Sequence, residues 1–432
     1  MKSKFSFFKA GQGSFYGGRI LDLNTNKVFT IVYDCGTTNF ISGNTASLNN
    51  EITRFKNFHQ FPYSNNNDID LLFISHLDFD HVSGLKRLLT EFNVKRIILP
   101  YISKEDRQFF LVSLPEDNPT DDSNLILSDY TDFIDSPDNF INSNSENTNI
   151  FYINSEEGKI EYQGYENENQ SEDIYVRGTT LDKNDFDELK STNTSVSLYK
   201  NNLQFFIQKK WEFTTYVKDV NSIAINNLHN CLKKLVNNNN GKLNFNDLKS
   251  IVTNNRKKAH SCYTKNIGDI NSHGLVLLHG PIRFHHLFCN VNSDCELNNK
   301  GHNFPHYYNS HHHYKQRKTT MLGTLLFGDT SIKPSNNPVN FPQIFKDKLK
   351  NTHIVQVPHH GSSKNWDYTE FKKLKIGNSI YWNHKIIAVC NFGYGNKYGH
   401  PSNNVLSDLS SSIFLNSQFS RLNIRYEIIE WI

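Results

Sequence analysis

FISHLDFDHVSGL (residues 73–85) places two histidines and two aspartates within six positions, directly behind an apolar run. The apolar run predicts a buried strand, and the polar side chains follow it on one short loop. These side chains belong to His76, Asp78, Asp80 and His81. Imidazole nitrogens and carboxylate oxygens are common ligands of divalent cations. The stretch therefore predicts a site for one or two cations; the alternative is a solvated polar loop.

The composition is that of a globular protein. The 432 residues are 37% hydrophobic and 13% aromatic, which is enough to fill a large core. A chain of this length usually folds into about two to three domains. The net charge of +3 permits nucleic-acid binding but does not indicate it, because a local basic patch matters more than the total.

The cysteines and the absence of apolar spans predict a soluble, cytoplasmic protein without a membrane segment. No run approaches the ~18 apolar residues of a membrane span, and the first residues contain no apolar signal region. The cysteines show no Cys-x-x-Cys spacing, and we expect buried or free thiols in a reducing compartment rather than disulfides. They are Cys35, Cys231, Cys262, Cys289, Cys295 and Cys390.

Strand-like and helical runs alternate at both ends of the chain. Residues 1–100 contain short β-like runs, and apolar spacing predicts a helix within 83–92. Strand-like runs return from 271 onward. A strand, a ligand-bearing loop and a helix in succession indicate a layered α/β protein.

The middle of the chain differs in composition. Residues 115–175 are acidic and rich in Asn and Ser, and we expect an exposed, loop-rich segment. Residues 195–217 predict two or three strands with a turn at Asn201 and Asn202, and helices are expected within 221–236 and 245–259. A His-rich stretch, 302–318, is expected to form a long loop without an active site.

Basic and aromatic residues interleave in the predicted strands of 195–217. Such side chains could stack along a single nucleic-acid strand. The preferred interpretation is an amphipathic hairpin whose aromatic side chains face the core. The residues are Lys200, Phe205, Phe206, Lys209, Lys210 and Trp211.

Four further stretches carry candidate functional side chains, each weak evidence alone. A strand-terminal aspartate after glycine is often a turn residue, and so is a histidine before proline. The stretches are TLLFGDTS with Asp329, VPHHGSS with His359, His360 and Ser362, GYGNKYGHPS with His400, and GQGSFYGG followed by VYDCG with Asp34.

In their order along the chain, these motifs resemble the metallo-β-lactamase superfamily, and within it the branch typified by the metallo-β-lactamase-like domain of the ComEC competence protein. Ser14 and Gly274 depart from that branch, which usually has aspartate and serine there, but neither is a presumed ligand. The resemblance covers about 1–100 and 268–432. The matching motifs are Gly11 to Gly13, Asp34 to Gly36, 76–81, Asn271 to Val276, Leu325 to Asp329, His359 to Ser362 and Gly399 to Ser402.

The resemblance implies the fold, namely an α/β four-layer αββα metallo-β-lactamase sandwich with a large insertion. Two sheets would pack face to face with helices outside and the metals at one sheet edge. We expect the two halves of the fold at 1–102 and 266–432, and an insertion at 103–265.

The resemblance also implies the ligands of two divalent metal ions. His76 and Asp78 would hold one ion, Asp80 and His81 the second, and Asp329 would bridge them. His359 or His360 would complete the second site, and His273 is a weaker candidate. Asp78 stands where most of the superfamily has histidine, which favours Mn²⁺ or Mg²⁺ more than a zinc-only site would; Zn²⁺ remains an alternative.

The function implied is that of a metal-dependent hydrolase, in the first place a phosphodiesterase or nuclease with DNA or another phosphodiester as its substrate. Asp80 and His400 would be catalytic, and Ser362 and His400 would bind substrate. His400 would grip a phosphate oxygen or protonate the leaving alkoxide.

Two alternative functions stay open. The first is hydrolysis of a small lactone, thioester or cyclic phosphate, since the same cations polarise a carbonyl. The second is a non-catalytic binding subunit. A closed pocket roofed by 103–265 would favour a small molecule, whereas an open basic groove would favour nucleic acid. No protein partner is indicated.

Overall fold

The computed structural model describes residues 1–38, 46–57, 67–113, 121–156, 173–186, 188–189, 195–218, 222–236, 243, 245–270, 274–282, 286–295, 323–334, 340–377, 386–393, 395–396, 398–417 and 420–430. Two large β-sheets occupy the centre of this part of the chain, and helices cover their outer faces.

The strands of the described residues are, in chain order, β1 (Lys2–Phe7), β2 (Phe15–Leu21), β3 (Val28–Cys35), β4 (Asp68–Ile69), β5 (Leu71–Phe73), β6 (Asn93–Val94), β7 (Arg96–Pro100), β8 (Asn149–Ile153), β9 (Ile174–Arg177), β10 (Val196–Tyr199), β11 (Gln204–Ile207), β12 (Trp211–Val217), β13 (Leu275–Pro281), β14 (His286–Cys295), β15 (Gly323–Leu326), β16 (Thr352–Gln356), β17 (Ile387–Asn391), β18 (Ile413–Asn416) and β19 (Ser420–Glu430).

The strands form two large sheets and one small pair. The first sheet has the order β10-β8-β7-β5-β3-β2-β1-β19-β14, and the second has the order β18-β17-β16-β15-β13-β12-β11-β9. Strands β4 and β6 pair separately. One half of each sheet is parallel: β3, β5, β7, β8 and β10 in the first, and β15 to β18 in the second. The carboxyl ends of parallel neighbours meet at one edge, which is where binding sites of such sheets form.

The two sheets pack face to face because alternate residues of their strands are apolar on the inner side. In β13, Leu275 and Leu277 lie in the cluster between the sheets, whereas Val276 faces the outer helices. Across the interface, the ring of Phe73 in β5 lies 5.7 Å from that of Phe205 and 5.8 Å from that of Phe213, measured between centroids. This aromatic core holds the two sheets together.

Helices cover both outer faces and complete the four layers. Buried residues of α1, α3, α5 and α6 pack on the first sheet, and buried residues of α10, α11 and α12 pack on the second. The helices of the described residues are α1 (Ala46–Lys56), α2 (Phe79–Val82), α3 (Leu85–Glu91), α4 (Lys104–Arg107), α5 (Asp121–Asp135), α6 (Pro137–Asn144), α7 (Ser222–Lys233), α8 (Phe245–Asn254), α9 (Arg256–Ile270), α10 (Gln343–Leu349), α11 (Tyr368–Lys373) and α12 (Asn403–Leu409).

The predicted αββα sandwich is therefore confirmed, with one local correction. Residues 115–175 were expected to be loop-rich, but over 121–156 the structure forms α5, α6 and β8. Residues 115–120 and 157–172 of that stretch lie outside the described residues. The apolar residues of α5 and α6 are sparse yet regularly spaced, and Phe133, Ile134, Phe140 and Ile141 pack on the first sheet. Sparse apolar residues at helical spacing suffice to bury one face of a helix.

The segment 103–265 contributes to both sheets. Strands β8 and β10 extend the first sheet, and β9, β11 and β12 extend the second. Two or three strands were expected within 195–217, and three are present. Phe205, Phe206 and Trp211 are buried, which confirms the preferred interpretation of a hairpin with aromatic side chains in the core. The predicted boundaries between the insertion and the two halves of the fold, at 102/103 and 265/266, stay predictions.

The cysteines correct a second expectation. Cys231 of α7 and Cys262 of α9 form a disulfide, whereas free thiols had been predicted. The spacing in sequence was misleading because the two cysteines, 31 positions apart, lie on helices that pack side by side. Cys35 and Cys390 are buried free thiols, as expected. Disulfides are typical of oxidising compartments, so the cysteines no longer support a reducing one.

No helix among the described residues is long and apolar enough to cross a membrane.

His279 of β13 is a buried base within the aromatic core. Its Nε2 lies 2.9 Å from the Tyr16 hydroxyl, and the Trp211 indole N–H donates to its Nδ1 at 3.3 Å. Burial lowers the pKa of His279 from 6.5 to about 3. The folded protein therefore holds this imidazole neutral at a pH where the unfolded chain protonates it.

His279 should make the protein less stable as the pH falls. Because its pKa is lowered on folding, the stability it contributes is present above pH 6.5 and is lost between pH 6.5 and about 3. Between pH 8 and pH 5 the free energy of unfolding should fall by about 2 kcal/mol through this group. Urea titrations of the wild type and of His279→Gln at pH 8 and pH 5 give the free energy of unfolding at each pH. Its fall between the two pH values should be about 2 kcal/mol smaller in His279→Gln. An unchanged pH dependence would contradict the assignment.

Candidate metal centre

Strand ends from both sheets deliver the predicted side chains to one place. The loop of 74–82 follows β5, and Asp34 lies at the end of β3 in the same sheet. Asp329 follows β15, and His359 and His360 follow β16 in the second sheet. Two backbone hydrogen bonds join the loops, from Leu275 N–H to the carbonyl of Ser75 and from His359 N–H to the carbonyl of Gly328.

The two glycine motifs near the start of the chain hold the backbone of Asp80. A Cβ on Gly13 would lie 2.8 Å from the Asp80 carbonyl oxygen, and one on Gly36 would lie 2.6 Å from it. The Asp80 carbonyl also accepts a hydrogen bond from Ser14 N–H. Only glycine permits this approach, so the motifs act by packing against the loop.

Histidines and carboxylates converge in two overlapping groups. His76, Asp80 and His81 form one group, and His81, Asp329 and His360 form the other; within each group the potential ligand atoms lie within 4.8 Å of one another. Asp329 Oδ1 lies 3.2 Å from His81 Nε2 and 3.8 Å from His360 Nε2, and Asp329 Oδ2 lies 3.7 Å from His76 Nε2. Asp329 thus lies between the other ligands, where a bridging carboxylate was expected.

Hydrogen bonds on the far side of each ring orient three imidazoles toward the centre. Asp34 Oδ2 lies 2.8 Å from His81 Nδ1, and the carbonyl of Asn391 lies 3.0 Å from His360 Nδ1. The Ser75 hydroxyl donates to Asp34 and lies 3.0 Å from His76 Nδ1. When these acceptors hold the Nδ1 protons, the Nε2 lone pairs point at the cluster, which is the arrangement of metal-binding histidines.

Several polar atoms in the cluster have no hydrogen-bond partner among the described residues. They are His76 Nε2, His81 Nε2 and Asp329 Oδ1, all buried. Leaving such atoms unpaired away from water costs about 1–3 kcal/mol each. A divalent cation would satisfy all three, so the residues present fit a metal centre.

The charges of the cluster act strongly on one another. Burial alone would raise the pKa of Asp329, but the neighbouring histidines, His359 and His81 foremost, hold it well below its usual value. Burial would lower the pKa of His81, yet the carboxylates of Asp329, Asp34 and Asp80 raise it well above its usual value. The same carboxylates would attract a cation.

The structure distinguishes the two histidines after β16. His360 Nε2 lies 2.9 Å from Asp80 Oδ2, and its ring belongs to the group with His81 and Asp329. His359 Nε2 lies 3.5 Å from Asp329 Oδ2 and joins neither group. His360 is therefore the better placed candidate ligand, and His359 lies beside the carboxylate of Asp329.

Asp78 has a partner that the sequence analysis missed. Its Oδ2 lies 3.6 Å from His76 Nε2, although Asp78 belongs to neither group of three, and its role as a ligand stays a prediction. The hydroxyl of Tyr263, in α9, lies 3.1 Å from both carboxylate oxygens of Asp78. No motif marks Tyr263, which is one of 20 tyrosines and lies 185 positions away in sequence.

A cavity of about 260 Å³ opens beside the cluster, lined by both predicted substrate-binding residues. Ser362 is buried, and its hydroxyl accepts a hydrogen bond from Lys364 N–H, which matches a role in holding the loop. The ring of His400 lies 5.6 Å from that of His359, and burial together with the two neighbouring histidines lowers the pKa of His400 to about 3. His260 and Tyr263 of α9 line another wall.

Two sequence expectations lie outside the described residues: His273, the weaker ligand candidate, and the His-rich stretch 302–318.

The fold and the cluster define an αββα protein with a candidate His/Asp metal centre, and comparison with known families agrees. Residues 27–149 match the family model described as "Metallo-beta-lactamase superfamily". The match includes Asp34 and the 76–81 loop but neither Asp329 nor His360. Over residues 27–149, the match confirms the resemblance to the superfamily. Most members of that superfamily are metal-dependent hydrolases. A comparison with curated proteins gives no match.

Asp34 should support metal binding without being a ligand, because it orients His81. Asp34→Asn removes the charge that holds the His81 ring and should weaken binding of Mn²⁺ or Zn²⁺ about 10- to 100-fold, measured by isothermal titration calorimetry. Asp70→Asn is the matched control, since Asp70 is a buried carboxylate that accepts from Thr30 N–H away from the cluster. Equal affinities for all three proteins would contradict the orienting role.

Proposed function

We propose that the protein is a metal-dependent phosphodiesterase that uses two divalent cations on DNA or another phosphodiester. The single observation that carries the proposal is the convergence of the unpaired Nε2 atoms of His76 and His81 with the unpaired Oδ1 of Asp329. His76, Asp78 and Asp329 would hold one ion, and Asp80, His81, His360 and Asp329 the other.

The chemistry of the ligands supports Mn²⁺, with Zn²⁺ and Mg²⁺ as alternatives. Three carboxylates stand beside three histidines, which is rich in oxygen ligands. Oxygen ligands suit hard cations, and imidazoles suit transition metals, so Mn²⁺ fits the mixture. Two such ions lower the pKa of a water molecule, orient it and neutralise charge on a phosphoryl group.

The chain's own residues would bind and orient the substrate. The three aspartates and His360 line the cavity, and so does His400, whose ring lies 5.6 Å from that of His359. From there, the imidazole of His400, which its lowered pKa keeps neutral, would donate a hydrogen bond to a phosphate oxygen rather than a proton to the leaving alkoxide. Ser362 would keep the His359–His360 loop in place. Lys364 also lines the cavity and supplies a positive charge for a phosphate.

A small-molecule hydrolase is the second candidate, and one observation favours it. Helix α9, whose first ten residues (256–265) lie within 103–265, lines the cavity through His260 and Tyr263. A volume of about 260 Å³ suits one nucleotide-sized or smaller group. The lining of the cavity includes the carboxylates of Asp80 and Asp329 and the ammonium group of Lys364, which supports a phosphate ester or cyclic phosphate more than a hydrophobic lactone.

We further propose that the chain belongs to the ComEC-like branch, that nucleic acid is its partner, and that it divides at 102/103 and 265/266. A cytoplasmic location stays a prediction, which the disulfide between Cys231 and Cys262 does not support.

Removing Asp80 should abolish hydrolysis, because its carboxylate contacts His360 and belongs to the first ligand group. In Asp80→Ala, kcat/KM should fall by about 10³-fold or more. The assay compares Mn²⁺, Mg²⁺ and Zn²⁺ with single- and double-stranded DNA, RNA, a cyclic nucleotide, a lactone and a chromogenic phosphodiester.

The control for this assay is Asp185→Ala, which alters an exposed aspartate away from the cavity and should retain full activity. Phosphodiester cleavage that survives Asp80→Ala would remove the proposed function. Turnover of the lactone alone would select the second candidate.

A further inference from the structure

We infer that Tyr263 is a positioning residue of the metal centre, which holds the carboxylate of Asp78 so that one oxygen is presented to an ion shared with His76. The inference rests on the proposed function, because it takes Asp78 to be a metal ligand. Tyr263 lies far outside residues 27–149, which match the superfamily model, so the family match does not account for it.

The distances define what the hydroxyl does. Tyr263 Oη lies 3.1 Å from Asp78 Oδ1 and 3.1 Å from Asp78 Oδ2. Equal distances place the hydroxyl on the plane that bisects the carboxylate, where a cation would lie if both oxygens chelated it. The hydroxyl is the donor, since an ionised carboxylate only accepts. Asp78 is thereby left to bind an ion through one oxygen, and Oδ2 is the oxygen nearer to His76, at 3.6 Å from its Nε2.

The protein encloses the side chain of Tyr263. It is buried, with 1% of its surface exposed, so protein groups rather than bulk solvent surround the hydroxyl. Its hydrogen bond to the carboxylate of Asp78 is therefore shielded from competition by water.

Helix α9 is anchored well enough to position a side chain. Cys262, the residue before Tyr263, is joined by the disulfide to Cys231 of α7. The ring of Tyr263 belongs to a cluster with Leu228 and Leu232 of α7, which also contains Leu248, Ile251 and Phe109. Packing thus fixes the ring, and the hydroxyl alone reaches the metal centre. A phenylalanine can occupy the same space, so the hydroxyl can be removed separately from the packing.

The inference predicts a selective loss of metal affinity in Tyr263→Phe. The protein is stripped with a chelator, and Mn²⁺ and Zn²⁺ are titrated by isothermal titration calorimetry. Binding of one ion should weaken about 10- to 100-fold, as is usual when a residue that orients a ligand is removed. Binding of the second ion should change by less than about threefold. The electron paramagnetic resonance spectrum of bound Mn²⁺ should change as well, because the symmetry of its ligands changes.

Tyr152→Phe serves as the matched control. Tyr152 is a buried tyrosine of β8 that packs in the outer core of the first sheet and does not line the cavity. Both ions should bind this variant as they bind the wild type. The melting temperature of each metal-free variant shows that the comparison is made between folded proteins.

A double-mutant cycle shows whether Tyr263 acts through Asp78. In an Asp78→Asn background, adding Tyr263→Phe should cause little further loss of affinity, because the charge that the hydroxyl orients is already gone. A full-sized additional loss, or wild-type affinity in Tyr263→Phe alone, would overturn the inference while leaving the metal centre intact. A wild-type protein that binds neither ion would overturn the proposed function, and this inference with it.

Discussion

Buried negative charge is the constraint on which the structure depends. Four carboxylates lie together where the parallel strands of the two sheets end, those of Asp34, Asp78, Asp80 and Asp329. Moving one ionised carboxylate out of water without a partner costs far more than a domain's net stability. Each carboxylate must therefore be paired with a hydrogen-bond donor or a cation. The histidines provide part of this compensation, and two divalent ions would provide the rest.

The charged side chains come from loops of both sheets rather than from a single strand or helix. Parallel strands of each sheet end at a common edge, and the aromatic core between the sheets holds the two edges against each other. The glycines at 13 and 36 allow the chain to approach the backbone of Asp80 within van der Waals contact. The side chains are thus oriented before any ion binds, which limits the conformational freedom that binding removes.

Much of the fold and of the site could be predicted from the sequence. Apolar runs that end at polar residues predicted strands followed by candidate ligands. The order of the motifs along the chain predicted two sheets packed face to face. The structure brings His76, Asp78, Asp80, His81, Asp329 and His360 to one place. Such residues could be found because each follows a recognisable strand and carries a side chain that is rare in a core.

The remaining features could not be predicted because they depend on contacts distant in sequence. Tyr263 reaches Asp78 from a helix whose own sequence contains only an ordinary amphipathic pattern. The disulfide between Cys231 and Cys262 depends on the packing of α7 against α9. The choice of His360 over His359 depends on backbone turns at these two residues, where φ is +53° and +44°, and no local pattern encodes those angles. Helices α5 and α6 were missed because their polar outer faces dominate the composition.

The central claim is that a pair of divalent ions occupies the cluster around Asp329. X-ray diffraction from crystals grown with Mn²⁺, collected on both sides of the manganese absorption edge, tests it most directly. We expect two anomalous peaks about 3.5–4 Å apart, one beside His76 and Asp78 and the other beside Asp80, His81 and His360. Crystals that show no peak at this cluster, with its side chains in the same positions, would contradict the claim.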